Sequence, residues 1–360
     1  LCRLGGAVLF RSSCPSPNHG YPFWLLALTF RSSRPAYGGR LTSPVRHHIL
    51  ILGKVAMKPL LKYRGGKSKE IPHLISHIPK YSGRYIEPFF GGGALFFHLE
   101  PKRAIINDIN SKLISFYLGV KNDFETLKSE LSEIEKTYTK NRKKFEELKS
   151  KTPDKRVEDE NEPLYYQIRD MFNELTEKKY SDALLYFFIN KTAYSGMIRY
   201  NAKGEFNVPY GRYANLNTSL VTISHSKLLA NTEIYNLDYS EIFQLATKDD
   251  FMFLDPPYDC VFSDYGNTEH KDGFNEKNHI ELASQYKKLK CKALMVIGRT
   301  PLTEQLYGDY IVDEYGKSYA VNIRNRFKSE ASHILISNYG NEALKRESKL
   351  ILEEETVSHG

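Results

Sequence analysis

Three consecutive glycines, Gly91, Gly92 and Gly93, separate an apolar run at 84–90 from a helix-forming run at 94–99, and no other feature restricts the fold of this chain as strongly. A strand that ends in such a turn and continues as a helix is the ligand-binding unit of open α/β sheets. Glycine there lets the backbone approach a ligand at the carboxyl end of the strand. A glycine turn of purely steric origin is the other reading of the same residues.

The rest of the chain is consistent with an α/β alternation. A second short strand is expected at 104–107, ending at Asp108. Phe124, Leu127, Leu131, Ile134 and Tyr138 recur at spacings of three and four, which predicts one buried face of an amphipathic helix. The segment 151–163 is charged, holds two prolines and lacks periodicity, so an exposed linker is expected, with a helical pattern resuming at 165–178. Residues 183–189 are apolar enough to be buried in either state. Short apolar runs at 251–254, 293–297 and 333–336 suit central strands of a mostly parallel sheet.

Charge says less than it first suggests. The net +8 is carried almost wholly by residues 1–56, which contain seven basic residues and no acid and leave 44 basic against 43 acidic residues in the remainder. That leader is rich in Arg, Ser, Pro and Gly, and carries the single tryptophan, Trp24. It reads either as an organellar transit peptide or, the preferred expectation, as translated upstream sequence or an expression scar before a start at Met57. A non-native or disordered leader is therefore expected. Four cysteines without metal-ligand spacing point to a reduced, cytoplasmic setting and to no bound metal. No apolar run is long enough to span a bilayer.

Candidate site residues cluster in three places. The turn formed by Glu87, Pro88, Phe89, Phe90 and the glycines is followed by Asp108, at about the distance where nucleotide-binding folds place an acid on ribose hydroxyls. A helix cap is the second reading of Asp108, because Asn110 and Ser111 can open a helix. Lys62, Tyr63, Arg64, Gly65, Gly66 and Lys67 combine a ring, glycines and cations. They suit a zwitterionic ligand that carries an adenine, although this segment alone favours an ordinary basic surface turn.

The third cluster follows the strand at 251–254 directly: Asp255, Pro256, Pro257 and Tyr258. Two prolines fix φ and remove backbone donors, leaving carbonyl oxygens free to accept. An exocyclic amine has two N–H donors, so the Asp255 carboxylate and the Pro256 carbonyl can hold it together, while Tyr258 offers a face for a purine. This tetrapeptide alone leaves RNA, protein glutamine and small molecules open as substrates.

Taken together, from about residue 58 to 339, these segments resemble the Dam-type DNA adenine methyltransferases of bacteria and their phages. The resemblance rests on the 62–67 cluster, the 87–93 turn, Asp108, Ile109 and Asn110, and a helix that begins Tyr165, Tyr166, Gln167, Ile168, Arg169. It continues through the run from Arg199 to Gly211 and ends on Asp255 to Tyr258. The glycine turn precedes the recognition region, which precedes the tetrapeptide, the alpha arrangement of amino methyltransferases.

The resemblance implies a Rossmann-like α/β methyltransferase sheet with helices on both faces, plus an inserted, mostly helical DNA-recognition domain with a β-hairpin. The expected division is a catalytic domain at 57–120 and 235–345, the insertion at 121–234, and a flexible tail at 346–360. S-adenosylmethionine is the implied cofactor, contacted by Tyr63, Lys67, Glu87, Phe89, Gly91, Gly93, Asp108 and Asp255. Asp255, Pro256 and Tyr258 are the implied catalytic residues. Tyr194, Ser195, Arg199, Asn201 and Pro209 are expected on double-stranded DNA, with Tyr194 wedging beside a flipped base and Arg199 reading guanine. Ser195 stands where asparagine is expected in the best-known members, so a GATC-like target is one expectation rather than a derived site. Residues 263–274 are expected to close over the pocket, and the basic run at 324–328 either meets phosphate or is a solvated loop. The implied protein is a monomeric enzyme, either solitary or paired with a restriction endonuclease encoded nearby. The alternatives are an amino methyltransferase for RNA or protein, or a catalytically silent DNA-binding relative.

Overall fold

The computed structural model describes residues 56–63, 65–259, 274–317 and 331–340. The expectations for the leader, Arg64, the loop from 263 to 273, the run at 324–328 and the tail at 346–360 lie outside the described residues.

Seven strands form one sheet: β1 (Tyr85–Glu87), β2 (Ala104–Asn107), β3 (Thr232–Tyr235), β4 (Phe251–Leu254), β5 (Lys292–Gly298), β6 (Ile311–Lys317) and β7 (Ala331–Ser337). Their order is β3-β2-β1-β4-β5-β7-β6. The first five strands pair in parallel, whereas β7 runs antiparallel between β5 and β6. The run at 333–336, expected as a central strand of a mostly parallel sheet, is the interior strand β7, which runs against both of its neighbours. Strand β7 pairs antiparallel with β5 from Leu294↔Ser337 to Gly298↔His333 and with β6 on its other side. Strands β3 and β6 lie at the edges, and their half-exposed sequences carry too little apolar signal to be read in advance.

Helices follow in chain order: α1 (Ile71–Leu74), α2 (Ala94–Leu99), α3 (Ser111–Asn122), α4 (Phe124–Lys151) and α5 (Asn161–Phe172), then α6 (Asp182–Thr192), α7 (Ile223–Ala230), α8 (Tyr239–Leu245), α9 (Glu276–Tyr286) and α10 (Pro301–Tyr307). Alternation along the strands sorts the core into two layers. Tyr85, Ile106, Phe251, Phe253, Leu294, Val296 and Leu335 face a large cluster built with α2 to α7. Ile86, Ile105, Met252, Leu254, Met295 and Ile336 face a smaller cluster with α8, α9 and α10. Helices thus cover both faces of the sheet, the Rossmann-like arrangement.

The stripe on α4 is buried as expected at Leu127, Leu131, Ile134 and Tyr138. The linker at 151–163 is shorter than expected. Asp159 and Asn161 are buried, and the Asn161 side chain donates to the Tyr138 carbonyl at 3.0 Å, so the chain re-enters the core at α5. The helix expected to reach 178 stops at Phe172, because the Asn173 side chain pairs with both backbone groups of Phe206 and Glu174 turns left-handed at φ 60°. Every residue of α6 after Asp182 is buried, which explains why its sequence shows no periodicity. The sheet also takes Thr232 to Ile234, which the sequence reading had left in the insertion. Among the described residues no helix is long and apolar enough to cross a membrane.

Arg84 and Asp250 tie the starts of β1 and β4 together. The Asp250 carboxylate, 2% exposed, accepts from the Arg84 backbone at 2.6 Å, its guanidinium at 3.0 Å, and Thr247 N at 2.8 Å. Burial opposes the charge, but the Arg84 and Thr247 hydrogen bonds prevail and hold the carboxyl down to about 2. A depressed carboxyl stabilises the fold above its unfolded pKa and loses that contribution as pH falls through its folded one. Asp250→Asn is therefore expected to cost about 2 kcal/mol at pH 7. The difference from wild type should shrink as pH is lowered from about 4 to 2, read by urea denaturation across that range. A constant difference down to pH 2 would contradict the assignment.

Candidate active site

The chain passes from β1 outward to β2 and β3, then returns to β4 on the other side of β1. Open sheets bind ligands at such a reversal, in the crevice beyond the carboxyl ends of the two strands. Here those ends carry the glycine turn after β1 and the tetrapeptide after β4. The main chain of β1 and β4 is in register at Tyr85 with Phe251 and Ile86 with Met252, so the two turns leave the sheet side by side.

Glycine is required in the first turn for two separate reasons. Gly91 and Gly93 adopt φ of 48° and 61°, in the left-handed region. A Cβ on Gly91 would also lie 2.7 Å from the Tyr63 ring, and one on Gly92 would lie 2.9 Å from Tyr63 Cβ. Tyr63 therefore packs directly on the peptide backbone of the turn. Asp108 fixes this conformation from the next strand: its Oδ2 accepts from Gly91 N at 2.8 Å and its Oδ1 from Asn110 N at 2.9 Å. The helix-cap alternative for Asp108 falls to Asn110, whose side chain accepts from Leu113 N at 3.0 Å. Asn107, which sequence reasoning treated only as a strand end, donates to the Pro88 and Leu237 carbonyls and accepts from Leu237 N. It fastens the ends of β1, β2 and β3 to one another. A polar residue closing a buried apolar run was the available signal.

Carboxylates gather beyond the turn. Glu87 is buried and accepts from the Tyr85 hydroxyl at 2.7 Å. Burial pushes its carboxyl well above the usual range; the Tyr85 hydrogen bond and Lys67 oppose this, while Asp255 and Asp108 add to it. Lys67, 3% exposed, forms an ion pair with Asp255 at 2.6 Å and donates to the Gly65 carbonyl at 2.9 Å. Its ammonium also stands 5.0 Å from the Tyr258 ring centroid. One buried ammonium thus meets both the acid and the ring of the tetrapeptide, bringing together segments 188 residues apart. Pro256 is buried behind them, and Phe89 packs on Tyr239 at 5.2 Å.

A second region borders the first. Asn190 near the end of α6 accepts from Lys62 N at 2.9 Å and donates to Lys62 O at 2.7 Å, locking the 62–67 cluster to the chain that leads into the run from Arg199 to Gly211. Tyr194 is 58% exposed, and Ser195 turns left-handed at φ 57°. The expected hairpin exists only as two isolated bridges, Ala193 with Tyr210 and Tyr200 with Phe206. Backbone bonds cross it at Asn201 N to Glu205 O (2.9 Å), Asn207 N to Arg199 O (3.1 Å) and Tyr194 N to Pro209 O (2.9 Å), and side chains fix its base: Tyr165 donates to Val208 O at 2.7 Å, and Tyr138 donates to Tyr213 O at 2.6 Å.

The residues expected on DNA divide accordingly. Tyr194, Ser195, Arg199 and Pro209 are exposed. Arg199 Nε rests on Asn207 Oδ1 at 2.8 Å. Asn201 spends its side chain within the turn, accepting from Lys203 N and Glu205 N and donating to Glu205, so its visible role is to shape the loop. Lys191 was not anticipated. It is 8% exposed, and burial with the neighbouring Lys62 charge lowers its pKa to about 8. An anion beside two such cations would relieve both effects.

A family model described as D12 class N6 adenine-specific DNA methyltransferase matches residues 63–323. A type II methyltransferase, M.CviBI, of Paramecium bursaria Chlorella virus NC1A is 33% identical over 79% of this chain and all of its own length. Another, M.MjaIII of Methanocaldococcus jannaschii, is 36% identical over 73% of this chain and 88% of its own. A DNA adenine methylase of Salmonella typhi is 28% identical over 76% and 90%.

Gly91→Ala tests the turn directly. Strain at positive φ and displacement of the Tyr63 ring are expected to cost about 1–3 kcal/mol, measured by thermal or urea unfolding. An alanine variant as stable as wild type would show that the ring does not press on this backbone.

Proposed function

The chain belongs to the D12 class N6 adenine-specific DNA methyltransferases, and on that premise we propose that it methylates a flipped adenine in duplex DNA with S-adenosylmethionine as donor. The observation that carries this reading is the Lys67–Asp255 ion pair at the strand reversal, which joins the cofactor segment to the tetrapeptide.

The site fits the donor chemically. Glu87, Asp108 and Asp255 set three carboxyl groups against one lysine, a balance suited to a ligand bearing sulfonium and ammonium charges. The Tyr186 hydroxyl is buried near Tyr63 and Asp108 with no hydrogen-bond partner among the described residues. Tyr63, Lys67, Glu87, Phe89, Gly91, Gly93, Asp108 and Asp255 would hold the cofactor, which supplies a methyl group on cationic sulfur. Asp255 and the Pro256 carbonyl accept the two N–H bonds of the target amine and draw its lone pair out of conjugation. Tyr258 offers a stacking face, worth about 1–3 kcal/mol per base. No covalent enzyme intermediate is needed, and orientation of the reactants provides most of the acceleration, roughly 7–11 kcal/mol at its fullest.

Extruding a paired base costs a few kcal/mol. Tyr194, exposed on its left-handed turn, suits a wedge that offsets this, with Ser195, Arg199 and Pro209 beside the duplex and Asn201 shaping the loop. Lys62 and Lys191 supply positive charge at the same edge. The recognition insertion is then the mostly helical stretch 121–234, apart from the β3 residues that pair into the sheet, and a GATC-like target is proposed, with Ser195 standing where asparagine is expected. A monomeric, cytoplasmic enzyme is proposed. Its role is either solitary or linked to a restriction endonuclease encoded nearby, the second being in keeping with the type II names of two relatives.

Incubating duplexes of varied sequence with methyl-labelled S-adenosylmethionine should place label on adenine N6. Asp255→Ala should abolish transfer while sparing most DNA binding in a gel-shift assay; undiminished transfer by that variant would remove Asp255 from catalysis. Arg199→Ala should relax discrimination at one base pair by about 1–3 kcal/mol, read from kcat/KM on single-substitution duplexes. Unchanged discrimination would return Arg199 to a purely structural role on Asn207.

A further inference from the structure

Behind the tetrapeptide lies a second buried constellation that the reaction itself does not use. Glu70 ends the short turn Lys67–Lys69 and is 5% exposed. Its Oε2 accepts from the Tyr315 hydroxyl at 2.6 Å and pairs with His333 Nδ1 at 2.8 Å. His333 is fully buried on β7, directly opposite Gly298 of β5. The His333 ring meets the Tyr258 ring edge to face, with centroids 5.0 Å apart and planes at 84°. Gly298 forms the adjoining wall: a Cβ there would touch the Tyr258 ring at 3.4 Å. Tyr315 closes the far side of His333 at 5.6 Å and is itself stacked on His73 at 4.4 Å.

We propose that Glu70 and His333 are positioning residues that set the plane of Tyr258 and hold it in register with Asp255. Resting on the reading above, this assigns a reason for the tetrapeptide's rigidity. Lys67 and Glu70 are three residues apart on one turn. The first grips Asp255 directly, and the second grips Tyr258 through the imidazole. Any displacement of that turn therefore moves the amine acceptor and the stacking face together. With the Glu70 carboxylate as acceptor, Nδ1 carries the proton, which fixes the tautomer and the ring plane that Tyr258 packs on. Stability alone gives little reason for such a pair. Burying a carboxylate is costly, and its hydrogen bonds from Tyr315 and His333 serve to offset that cost rather than to exceed it.

The test uses duplex DNA with 2-aminopurine at the target position, whose fluorescence rises when the base leaves the stack, together with steady-state methylation of the unmodified duplex. His333→Phe keeps a ring against Tyr258 but loses the Glu70 bond, and Glu70→Leu removes the acceptor from the other side. Both are expected to lower kcat about ten- to a hundredfold. Affinity for S-adenosylmethionine and KM for DNA should stay at the wild-type level, and the 2-aminopurine signal should change in amplitude. Glu70→Gln, which keeps an oxygen acceptor for Nδ1, should restore most of kcat. Wild-type kcat and fluorescence in both His333→Phe and Glu70→Leu would overturn the proposal. So would losses that merely track a fall in melting temperature and cofactor affinity, because these mark a packing role. Tyr258→Ala separates the two levels of inference. If it too is unimpaired, the stacking role of Tyr258 fails; if it is impaired while the other variants are normal, only the positioning role fails.

Discussion

The contact between Lys67 and Asp255 organises the centre of this protein. Removing an ammonium and a carboxylate from water is costly, and the cost is met only where geometry is good and further partners are present. Here the lysine is almost wholly buried, meets both carboxylate oxygens at 2.6–2.7 Å and is anchored to the Gly65 carbonyl. The pair forces the segment before the sheet to lie across the mouth of β4. It thereby places Tyr63 on the glycine turn after β1. The glycine turn after β1 and the tetrapeptide after β4 consequently share one wall.

Around that wall the hydrogen bonds are arranged to restrain backbone rather than to bury charge for its own sake. Asp108 holds Gly91, Asn107 joins three strand ends, and Asn190 clamps both backbone groups of Lys62. Each serves a segment that lacks regular secondary structure. Irregular backbone near a ligand cannot satisfy itself through a ladder, so side chains from neighbouring elements must do so. The same rule governs the run from Arg199 to Gly211. It forms isolated bridges and a few backbone bonds, and Tyr138, Tyr165 and Asn173 brace it from neighbouring elements. The rim of this run thus stays exposed at Arg199 and Pro209 while its base is fixed.

What could be read from the chain followed the range of the interactions involved. Residues 94–99, 104–107 and 251–254 carried their structure in local pattern, and the elements coincide with those ranges. The glycine turn was legible because left-handed φ demands a particular residue. The early end of α5, the direction of β7 and the existence of β3 and β6 were not. Each is decided by a partner distant in sequence: Asn173 by Phe206, β7 by β5, β3 by β2.

The same division holds for the site. Residue type alone determined that Asp255 to Tyr258 would present an acid, free carbonyls and a ring, because proline chemistry and side-chain identity act within four positions. Which lysine would face that acid, which carboxylate would stand behind His333, and which asparagine would tie the strand ends were settled only by the tertiary structure. Those choices depend on contacts across 188, 263 and 130 residues of chain, set by how two layers of helices pack on one sheet.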